Sequence, residues 1–281
     1  VKEVVILGHQ FLCLRRISSK SMFDSVVESK IEWINIEDSK LKDKVSWFQP
    51  DVLFHAAWGG VRGNGREDGN VQNENLAMSR RMFELYPYKQ IIVIGSQAEY
   101  GFYYGPVDEN HALRPTMEYG RAKKQCCDDL KKYCESKDLE WQWIRIFTVF
   151  GEQQTGGLIK LAIDKCKEGD KKFDTTEGNQ RYSYLYAVDF AKALCQMLGA
   201  KGKSGIYNLS QPMEVHSNRY VLERIKEKMH SDIRFNFGAI PYVDDQIMLM
   251  DGTVDKFVRA FGAIPHTDFE LALNKTIESF K

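Results

Sequence analysis

The sequence predicts an α/β protein with a Rossmann-type, doubly wound parallel sheet and a smaller C-terminal α+β lobe. Two observations support this prediction. Short apolar runs alternate with amphipathic stretches through the first half of the chain, and the runs contain many of the β-branched and aromatic residues that favour strands. These runs are apolar on both faces, which is typical of parallel strands that helices cover from either side.

Strands and helices alternate in the order expected of βαβ units. We predict strands over residues 4–8, 11–14, 31–36, 51–57, 90–96 and 141–150, with helices over 41–48, 71–86 and 118–136. After Gly151 the alternation becomes less regular. We predict helices over 157–168, 187–199 and 217–230, a strand over 205–209, and short helices near 252–261 and 267–280. We therefore expect a Rossmann domain over residues 1–151 and 187–209, and a substrate-binding lobe over residues 152–186 and 210–281.

The first two predicted strands have an unusually short connection. Gly8 ends the first strand and Phe11 begins the second, whereas a parallel pair needs a crossover of about a dozen residues or more. Either the two strands form a tight antiparallel hairpin, or a glycine-rich loop and its helix are absent from this sequence. The second explanation is favoured, and the usual dinucleotide-binding glycine motif would lie in that absent segment.

The composition indicates a globular protein that acts on a small molecule. The chain has 281 residues, 43% of them hydrophobic, and can bury a large core. Lysine plus arginine equals aspartate plus glutamate at 39 each, so no net field attracts nucleic acid or an anionic membrane. We expect a cytoplasmic protein, because no signal-peptide layout or long apolar run is present. The six cysteines lack the spacing of a zinc site or a disulfide framework, so no metal is expected.

Ser96, Tyr119 and Lys123 form the predicted catalytic set. Tyr119 and Lys123 stand four residues apart on a predicted helix and therefore share one face. A lysine charge beside a tyrosine favours the phenolate form, so that Tyr119 can act as an acid or a base. Ser96 ends a buried strand at the carboxyl edge of the sheet, where doubly wound sheets bind their ligands, and its hydroxyl can stabilise a developing alkoxide.

Further segments occur in a fixed order along the chain. They are NIED at 35–38, HAAW at 55–58, NLAMS at 75–79, RIFTVFG at 145–151 and RYSYLYAVD at 181–189. Together with GSQAEYG at 95–101 and YGRAK at 119–123, they resemble motifs of the extended short-chain dehydrogenase/reductases. That family includes nucleotide-sugar epimerases, dehydratases and ketoreductases, and the resemblance covers nearly the whole chain.

The resemblance implies a role for many residues. In the family the serine, tyrosine and lysine act together, and the lysine also holds the nicotinamide ribose. Candidate cofactor-binding residues are Gly8, Arg15, Arg16, Asn35, Ile36, Ala56, Ala57, Trp58, Asn75, Tyr119, Lys123 and Phe147, and candidate substrate-binding residues are Ser96, Gln97, Thr148 and Arg181. Asn35, Thr148 and Tyr182 replace an expected aspartate, asparagine and aspartate. At the adenine and phosphate contacts the sequence therefore departs from the family pattern, whereas the catalytic set matches it.

The residues after Ser96 separate the possible reactions. Dehydratases of the family need an Asp-Glu pair there, whereas this chain has Gln97 and Ala98, so we expect no dehydration. Arg15 and Arg16 offer positive charge to a 2′-phosphate, which favours NADP over NAD. These residues favour NADPH-dependent reduction, with a C4 epimerase that retains NAD as the alternative. GSQAEYG and the tail at 236–246 resemble reductases of 4-keto-6-deoxy sugars, and this resemblance implies a 4-keto-6-deoxy nucleotide sugar as the substrate.

Two expectations concern other classes of protein and the partners of the chain. A non-catalytic dinucleotide sensor on the same fold would commonly lack the tyrosine or the lysine, and this chain keeps both.

In the family, the helices predicted over 71–86 and 118–136 pack against their copies as a four-helix bundle, which implies a homodimer.

Overall fold

A computed structural model of the chain describes residue 3 and residues 7–16 and 31–281. The described residues fall into two compact units. The first takes residues from Val1–Gly95, Met117–Trp143 and Leu194–Gly205, and the second takes Ser96–Thr116, Ile144–Ala193 and Ile206–Lys281. Within the described part of the chain, no helix is long and apolar enough to cross a membrane.

The helices and strands of the described residues follow in chain order. They are β1 (Leu12–Arg15), β2 (Glu32–Asn35), α1 (Leu41–Phe48), β3 (Val52–His55), α2 (Gly69–Glu84), β4 (Gln90–Ser96), α3 (Glu118–Glu135), β5 (Glu140–Ile146), β6 (Thr148–Phe150), α4 (Leu158–Glu168), β7 (Lys172–Asp174), β8 (Arg181–Tyr186), α5 (Ala187–Cys195), β9 (Gly205–Leu209), β10 (Val215–Ser217), α6 (Asn218–Lys228), β11 (Arg234–Asn236), β12 (Leu249–Met250), α7 (Asp255–Phe261) and α8 (Phe269–Glu278). Short 3-10 turns cover Gly63–Arg66 and Gln97–Glu99.

Parallel pairing characterises the strands at the beginning of the fold. β1 pairs in parallel with β2, and β3 pairs in parallel with β4. A sheet of four strands has the order β3-β4-β5-β9, and β4 is buried along its whole length, as expected of a strand that is covered on both faces. The protein therefore has the α/β, Rossmann-type fold that the sequence predicts.

Helices α2 and α3 pack against each other in the first unit. Asp68 caps α2, because its side chain accepts from the backbone N–H of Asn70 and of Val71 at 3.0 and 3.3 Å. Apart from Gly120, the buried residues of α3 are spaced by three or four positions, which places them on one face: Tyr119, Ala122, Lys123, Cys126, Cys127, Leu130 and Cys134. The polar pair Tyr119 and Lys123 therefore lies on the inward side of an otherwise apolar stripe.

The second unit has a sheet centred on β8. β6 and β12 pair with β8 in parallel, and β10 pairs with it antiparallel. β7 and β11 form a separate parallel pair. Helices α4, α6 and α8 contribute to its core, together with aromatic residues of the strands; the cluster includes Phe150, Ile163, Tyr184, Val221, Leu222, Phe269 and Leu273. This mixture of parallel and antiparallel pairs agrees with the predicted α+β character of the second lobe.

Several predicted elements differ from the structure. The predicted strand 141–150 is divided at Phe147 into β5 and β6, because β6 leaves the sheet of β5 and pairs with β8. The predicted helix 187–199 ends at Cys195, and the helix predicted from 252 begins at Asp255. The first predicted strand falls mainly on residues 4–6, outside the described residues, whereas Leu7 and Gly8 lie in a turn. The choice between a hairpin and an absent loop concerns this first strand and therefore lies outside the described residues.

Candidate active site

The Tyr119–Lys123 pair is buried at the start of α3. The exposed fractions of the two residues are 9% and 4%. The ammonium of Lys123 donates a hydrogen bond of 2.7 Å to the carbonyl oxygen of Ile94 on β4. It also lies 3.8 Å from the centroid of the Trp58 ring. The strand backbone and an indole thus hold the lysine head group one helical turn from the phenol.

Trp58 belongs to a loop that α2 holds through two buried amide side chains. Trp58 Nε1 donates to Gln72 Oε1 at 2.8 Å, and Gln72 Nε2 donates to the Gly65 carbonyl at 2.8 Å. Asn75 bonds both polar atoms of the Gly59 backbone, accepting from its N–H at 2.8 Å and donating to its carbonyl at 2.9 Å. Gln72 and Asn75 are 2% and 1% exposed. Because these amides are paired in the interior, they fix the path of the loop.

The same loop needs glycine at position 60. Gly60 has φ 64°, in the left-handed region that glycine adopts most readily. A Cβ atom at this residue would approach the carbonyl oxygen of Gly65 to 2.6 Å. The tight turn after Trp58 therefore requires a residue without a side chain at position 60.

Arg66, at the end of the first 3-10 turn, brings a second cation to Tyr119. Its guanidinium carbon lies 5.1 Å from the centroid of the phenol ring. Its Nε atom is buried and has no hydrogen-bond partner in the described part of the chain. Tyr119 also meets Trp58 edge to face, with ring centroids 6.5 Å apart. The phenol thus contacts an indole and lies beside one guanidinium, and Lys123 stands one helical turn further along α3.

His55 ends β3 close to the same lysine. It is 5% exposed, and its Nε2 lies 2.9 Å from Ser79 Oγ. Burial first, and then the positive charge of Lys123, lower the pKa of His55 to about 4. His55 is therefore a neutral structural residue at physiological pH, and the exposed residues Ala56 and Ala57 follow it at the carboxyl end of the strand.

Ser96 has different surroundings, which belong to the second unit. Its hydroxyl accepts from the N–H of Ala98 at 3.1 Å, and its own N–H donates to Glu99 Oε1 at 2.8 Å. The other carboxylate oxygen of Glu99 accepts from Arg145 Nε at 2.8 Å. The side chains of Glu99 and Arg145 are 0% and 1% exposed. This buried ion pair fixes the backbone immediately after Ser96.

The ion pair continues into a buried polar network. Arg145 donates to the Tyr100 hydroxyl at 3.2 Å, and that hydroxyl donates to Asn208 Oδ1 at 2.6 Å. Burial alone would lower the pKa of Arg145, but the carboxylate of Glu99 and the hydroxyl of Tyr100 raise it above its ordinary value. Arg145 therefore stays charged, and its charge is balanced within the protein.

The strands at the start of the fold bring two predicted cofactor residues together. Arg15 and Asn35 are direct partners at the carboxyl ends of β1 and β2. The guanidinium of Arg15 lies 4.3 Å from the centroid of the Trp33 ring, and Asn35 Oδ1 accepts from the N–H of Glu37 at 3.2 Å. Ile36 and the exposed Arg16 are the next residues along these strands, and Gly8 lies in an exposed turn.

The remaining predicted residues lie in the second unit. Gln97 Oε1 accepts from the Tyr103 hydroxyl at 3.3 Å. Phe147 is 8% exposed and packs with Tyr100, Tyr103 and Val107. The hydroxyl of Thr148 lies 3.6 Å from the sulfur of Met250, and Arg181 is exposed at the start of β8. Their assignment to cofactor or substrate stays a prediction.

Sequence reasoning missed Arg66 and Gln72 beside Tyr119 and Trp58, and it missed the Glu99–Arg145 pair beside Ser96. Glu99 is fully buried, and its carboxylate has a structural position after Ser96. One signal could have revealed the pair. Glu99 and Arg145 are ionisable residues that follow or end buried apolar runs, and opposite charges in such positions commonly meet because a buried charge needs a partner.

Comparison with known proteins supports the same family as the motifs. The chain matches the model of the NAD dependent epimerase/dehydratase family over residues 1–210. It is 29% identical over 204 residues to a protein of Methanocaldococcus jannaschii that is provisionally named UDP-glucose 4-epimerase, covering 68% of this chain and 66% of that protein. It is 25% identical over 250 residues to CDP-abequose synthase of Salmonella muenchen, covering 86% of this chain and 80% of that protein.

A solved structure supports the fold. The UDP-glucose 4-epimerase of Thermotoga maritima, determined with UDP-glucose, has a TM-score of 0.86 to this chain at 17% identity, covering 99% of this chain and 93% of that one. At this identity the likeness shows a shared Rossmann-type fold. Because the family model spans most of the sequence, the chain belongs to the NAD dependent epimerase/dehydratase family, the extended short-chain dehydrogenase/reductases, and is an NAD(P)-dependent enzyme.

Proposed function

We propose that the protein reduces a 4-keto-6-deoxy nucleotide sugar to the alcohol with NADPH. The arrangement of Tyr119 and Lys123 carries this proposal, because it places a phenol and a buried ammonium one turn apart on the inward face of α3. Such a pair can supply the proton that must accompany a hydride at a carbonyl. The nicotinamide of bound NADPH supplies the hydride.

Residues of the first unit fit a dinucleotide. Arg15 and Asn35 are opposite each other at the carboxyl ends of their strands, which is the edge where open parallel sheets bind such ligands. Ala56 and Ala57 are small and exposed after β3, so a flat ligand can approach the backbone there. We assign the adenosine end to Arg15, Arg16, Asn35 and Ile36. The two guanidinium groups favour the 2′-phosphate of NADP over the hydroxyl of NAD.

Each catalytic residue has one task in this proposal. Tyr119 donates its proton to the oxygen at C4 of the sugar while that carbon accepts the hydride. Lys123 keeps a positive charge beside the phenol and stabilises the phenolate that the transfer leaves. Ser96 donates a hydrogen bond to the developing alkoxide, as its family motif implies. We assign substrate contacts to Gln97, Thr148 and Arg181, with the guanidinium of Arg181 on the diphosphate.

The surroundings of Glu99 favour reduction over dehydration. Elimination of water needs a free acid and base near the reacting carbons. The carboxylate of Glu99 already accepts from the Ser96 backbone and from Arg145 at 2.8 Å each. The two positions between Ser96 and Glu99 hold a neutral amide and a methyl group.

The names of two relatives correspond to the two reactions that the sequence left open. CDP-abequose synthase, which matches 86% of this chain, supports the reductase. The relative provisionally named UDP-glucose 4-epimerase is 29% identical and supports the alternative, in which NAD stays bound and one catalytic set works in both directions.

A cofactor and substrate screen tests the proposal. The purified protein is mixed with NADPH or NADH and with CDP- or dTDP-4-keto-6-deoxyglucose, and the absorbance of the reduced cofactor is followed. We expect oxidation of NADPH only when a keto-sugar is present, with NADH the poorer donor. Purified protein that carries bound NAD and interconverts UDP-glucose and UDP-galactose without net oxidation would establish the epimerase instead.

We also propose a homodimer built on α2 and α3. These helices pack side by side, and Arg80 Nε donates to Asp129 Oδ2 across them at 2.8 Å. Two copies of such a pair can form a four-helix bundle. Size-exclusion chromatography with light scattering should give twice the chain mass, and a single-chain mass would refute the assembly.

A further inference from the structure

The indole of Trp58 contacts both members of the Tyr119–Lys123 pair. The Lys123 ammonium lies 3.8 Å from the centroid of the indole ring. The phenol of Tyr119 meets the same ring edge to face, at an interplanar angle of 82°. We propose that Trp58 is a positioning residue that holds the ammonium of Lys123 beside Tyr119. This inference rests on the proposed function, which assigns the proton transfer to that pair.

The orientation of the indole is set by α2. Its Nε1 donates to Gln72 Oε1 at 2.8 Å, and the amide of Gln72 also donates to the carbonyl oxygens of Gly60 and Gly65 at 3.3 and 2.8 Å. Rotation of the indole would leave a buried acceptor of Gln72 without this partner, which is unfavourable. Trp58 is therefore oriented by the protein alone, before any ligand binds.

An indole suits this task because it stabilises a cation without cancelling its charge. Burial of Lys123 to 4% exposure disfavours the ammonium. The electron-rich face of a tryptophan and the Ile94 carbonyl at 2.7 Å both attract the ammonium, and both are uncharged. Neither of these two contacts cancels the positive charge, so both are compatible with an ammonium that favours deprotonation of the Tyr119 phenol.

Arg66, His55, Glu67 and Glu118 are ionisable residues near the pair. Arg66 lies over the phenol, 5.1 Å from its centroid, and adds positive charge of its own. Burial and the Lys123 charge lower the pKa of His55 to about 4, so His55 is neutral over the working range. On the solvent side, Glu67 accepts from the N–H of Glu118 at 3.3 Å, next to Tyr119 in the chain. A replacement at Trp58 leaves all four of these groups in place.

Two replacements at Trp58 in the full chain test the role. Trp58→Phe keeps an aromatic face and Trp58→Leu removes it. For each we measure kcat, both KM values and the pH dependence of kcat, with NADPH and the keto-sugar that the wild-type protein reduces in the screen. Trp58→Leu should lower kcat about ten- to thirtyfold, the loss expected for a buried cation–π contact. It should also move the alkaline limb of the pH profile upwards, because the phenol keeps its proton longer, while KM for the sugar changes little.

Trp58→Phe should retain the wild-type pH profile and most of kcat. Trp47→Leu is the matched control, because Trp47 is 80% exposed on α1, and it should behave as the wild type. If Trp58→Leu does not unfold cooperatively, Trp58→Met provides the non-aromatic comparison.

The results separate this inference from the function on which it rests. A Trp58→Leu protein with a lower melting temperature but wild-type kcat and pH profile would show a structural role only and overturn the inference. The same is true if the Leu and Phe proteins are equally impaired. If Tyr119→Phe and Lys123→Met are fully active, the proposed function fails and this inference fails with it. If those two are inactive and Trp58→Leu is normal, only the role of Trp58 fails.

Discussion

Two buried cations of this protein, Lys123 and Arg145, make different kinds of contact. Arg145 pairs with the carboxylate of Glu99 at 2.8 Å, so the positive charge is balanced where it is buried. Lys123 contacts the Ile94 carbonyl and the face of Trp58, which are both uncharged. In an ion pair, the opposite charge largely cancels the electrostatic potential of the cation at nearby groups. A carbonyl dipole and an indole stabilise a cation without contributing an opposite net charge.

We propose that this difference separates a structural cation from a functional one. Arg145 and Glu99 connect the backbone after Ser96 to Tyr100 and Asn208, and replacing either should affect stability first. Lys123 stands one turn from Tyr119, and its charge should affect proton transfer first. The predictions below test whether the two regions divide their tasks in this way.

The largest effect should come from the Tyr119–Lys123 pair. Tyr119→Phe removes the proton donor and should lower kcat by about 10²–10⁴, the range typical of general acid catalysis. Steady-state kinetics with NADPH and the keto-sugar measure this loss, and circular dichroism melting should show a fold close to the wild type. NADPH binding, followed by its fluorescence, should persist. A fully active Tyr119→Phe protein would place the chemistry elsewhere.

Arg145→Met should mainly cost stability. It leaves the carboxylate of Glu99 buried without its cation, and breaking a buried ion pair costs about 3–5 kcal/mol. Urea unfolding measures the loss. The double variant Glu99→Gln, Arg145→Met removes both charges and keeps an acceptor for the Ser96 N–H, so it should recover a large part of the stability. If the double variant is no more stable than the single one, the buried charge is not the cause.

His55 should make the stability of the lysine region depend on pH. Its folded-state pKa is about 4, compared with 6.5 in a model peptide. Between pH 6.5 and pH 4, His55 is therefore protonated in the unfolded chain but stays neutral in the folded protein. The free energy of unfolding consequently decreases as the pH falls from 6.5 towards 4. The pKa difference corresponds to about 3 kcal/mol. Urea unfolding between these pH values should show a smaller loss for His55→Gln than for the wild type, and equal losses would refute this role.

The helices and strands were predictable where one long, periodic segment determines them. Residues 90–96 were predicted as a strand and α3 was predicted to within one residue, because continuous burial and helical spacing are local properties of the sequence. The strands β10, β11 and β12 contain two or three residues each and depend on partners that are distant in the chain. No local pattern marks such strands.

The same distinction holds for the candidate site. Tyr119 and Lys123 could be placed on one face because helix geometry fixes residues four positions apart. The resemblance assigned Trp58 to the cofactor segment. Its contact with Lys123 depends on the path of the loop that contains Trp58, which Gln72 and Asn75 fix by hydrogen bonds. Loop paths of this kind follow from tertiary hydrogen bonds, so the contact could not be read from spacing.

The smallest effect should come from the glycine turn that carries Trp58, and it tests whether this loop supports the lysine region. Gly60→Ala imposes an unfavourable φ and places Cβ 2.6 Å from the Gly65 carbonyl oxygen. Gly63→Ala is the matched control, because Gly63 also has a positive φ, 52°, but a Cβ there meets nothing within 4 Å. Each φ should cost about 1 kcal/mol, and the close contact should raise the cost of Gly60→Ala to about 2 kcal/mol in urea unfolding. Because the displaced loop also carries Trp58, Gly60→Ala should lower kcat more than Gly63→Ala does. Equal effects of the two replacements on both measurements would mean that the turn is not what holds the indole over Lys123.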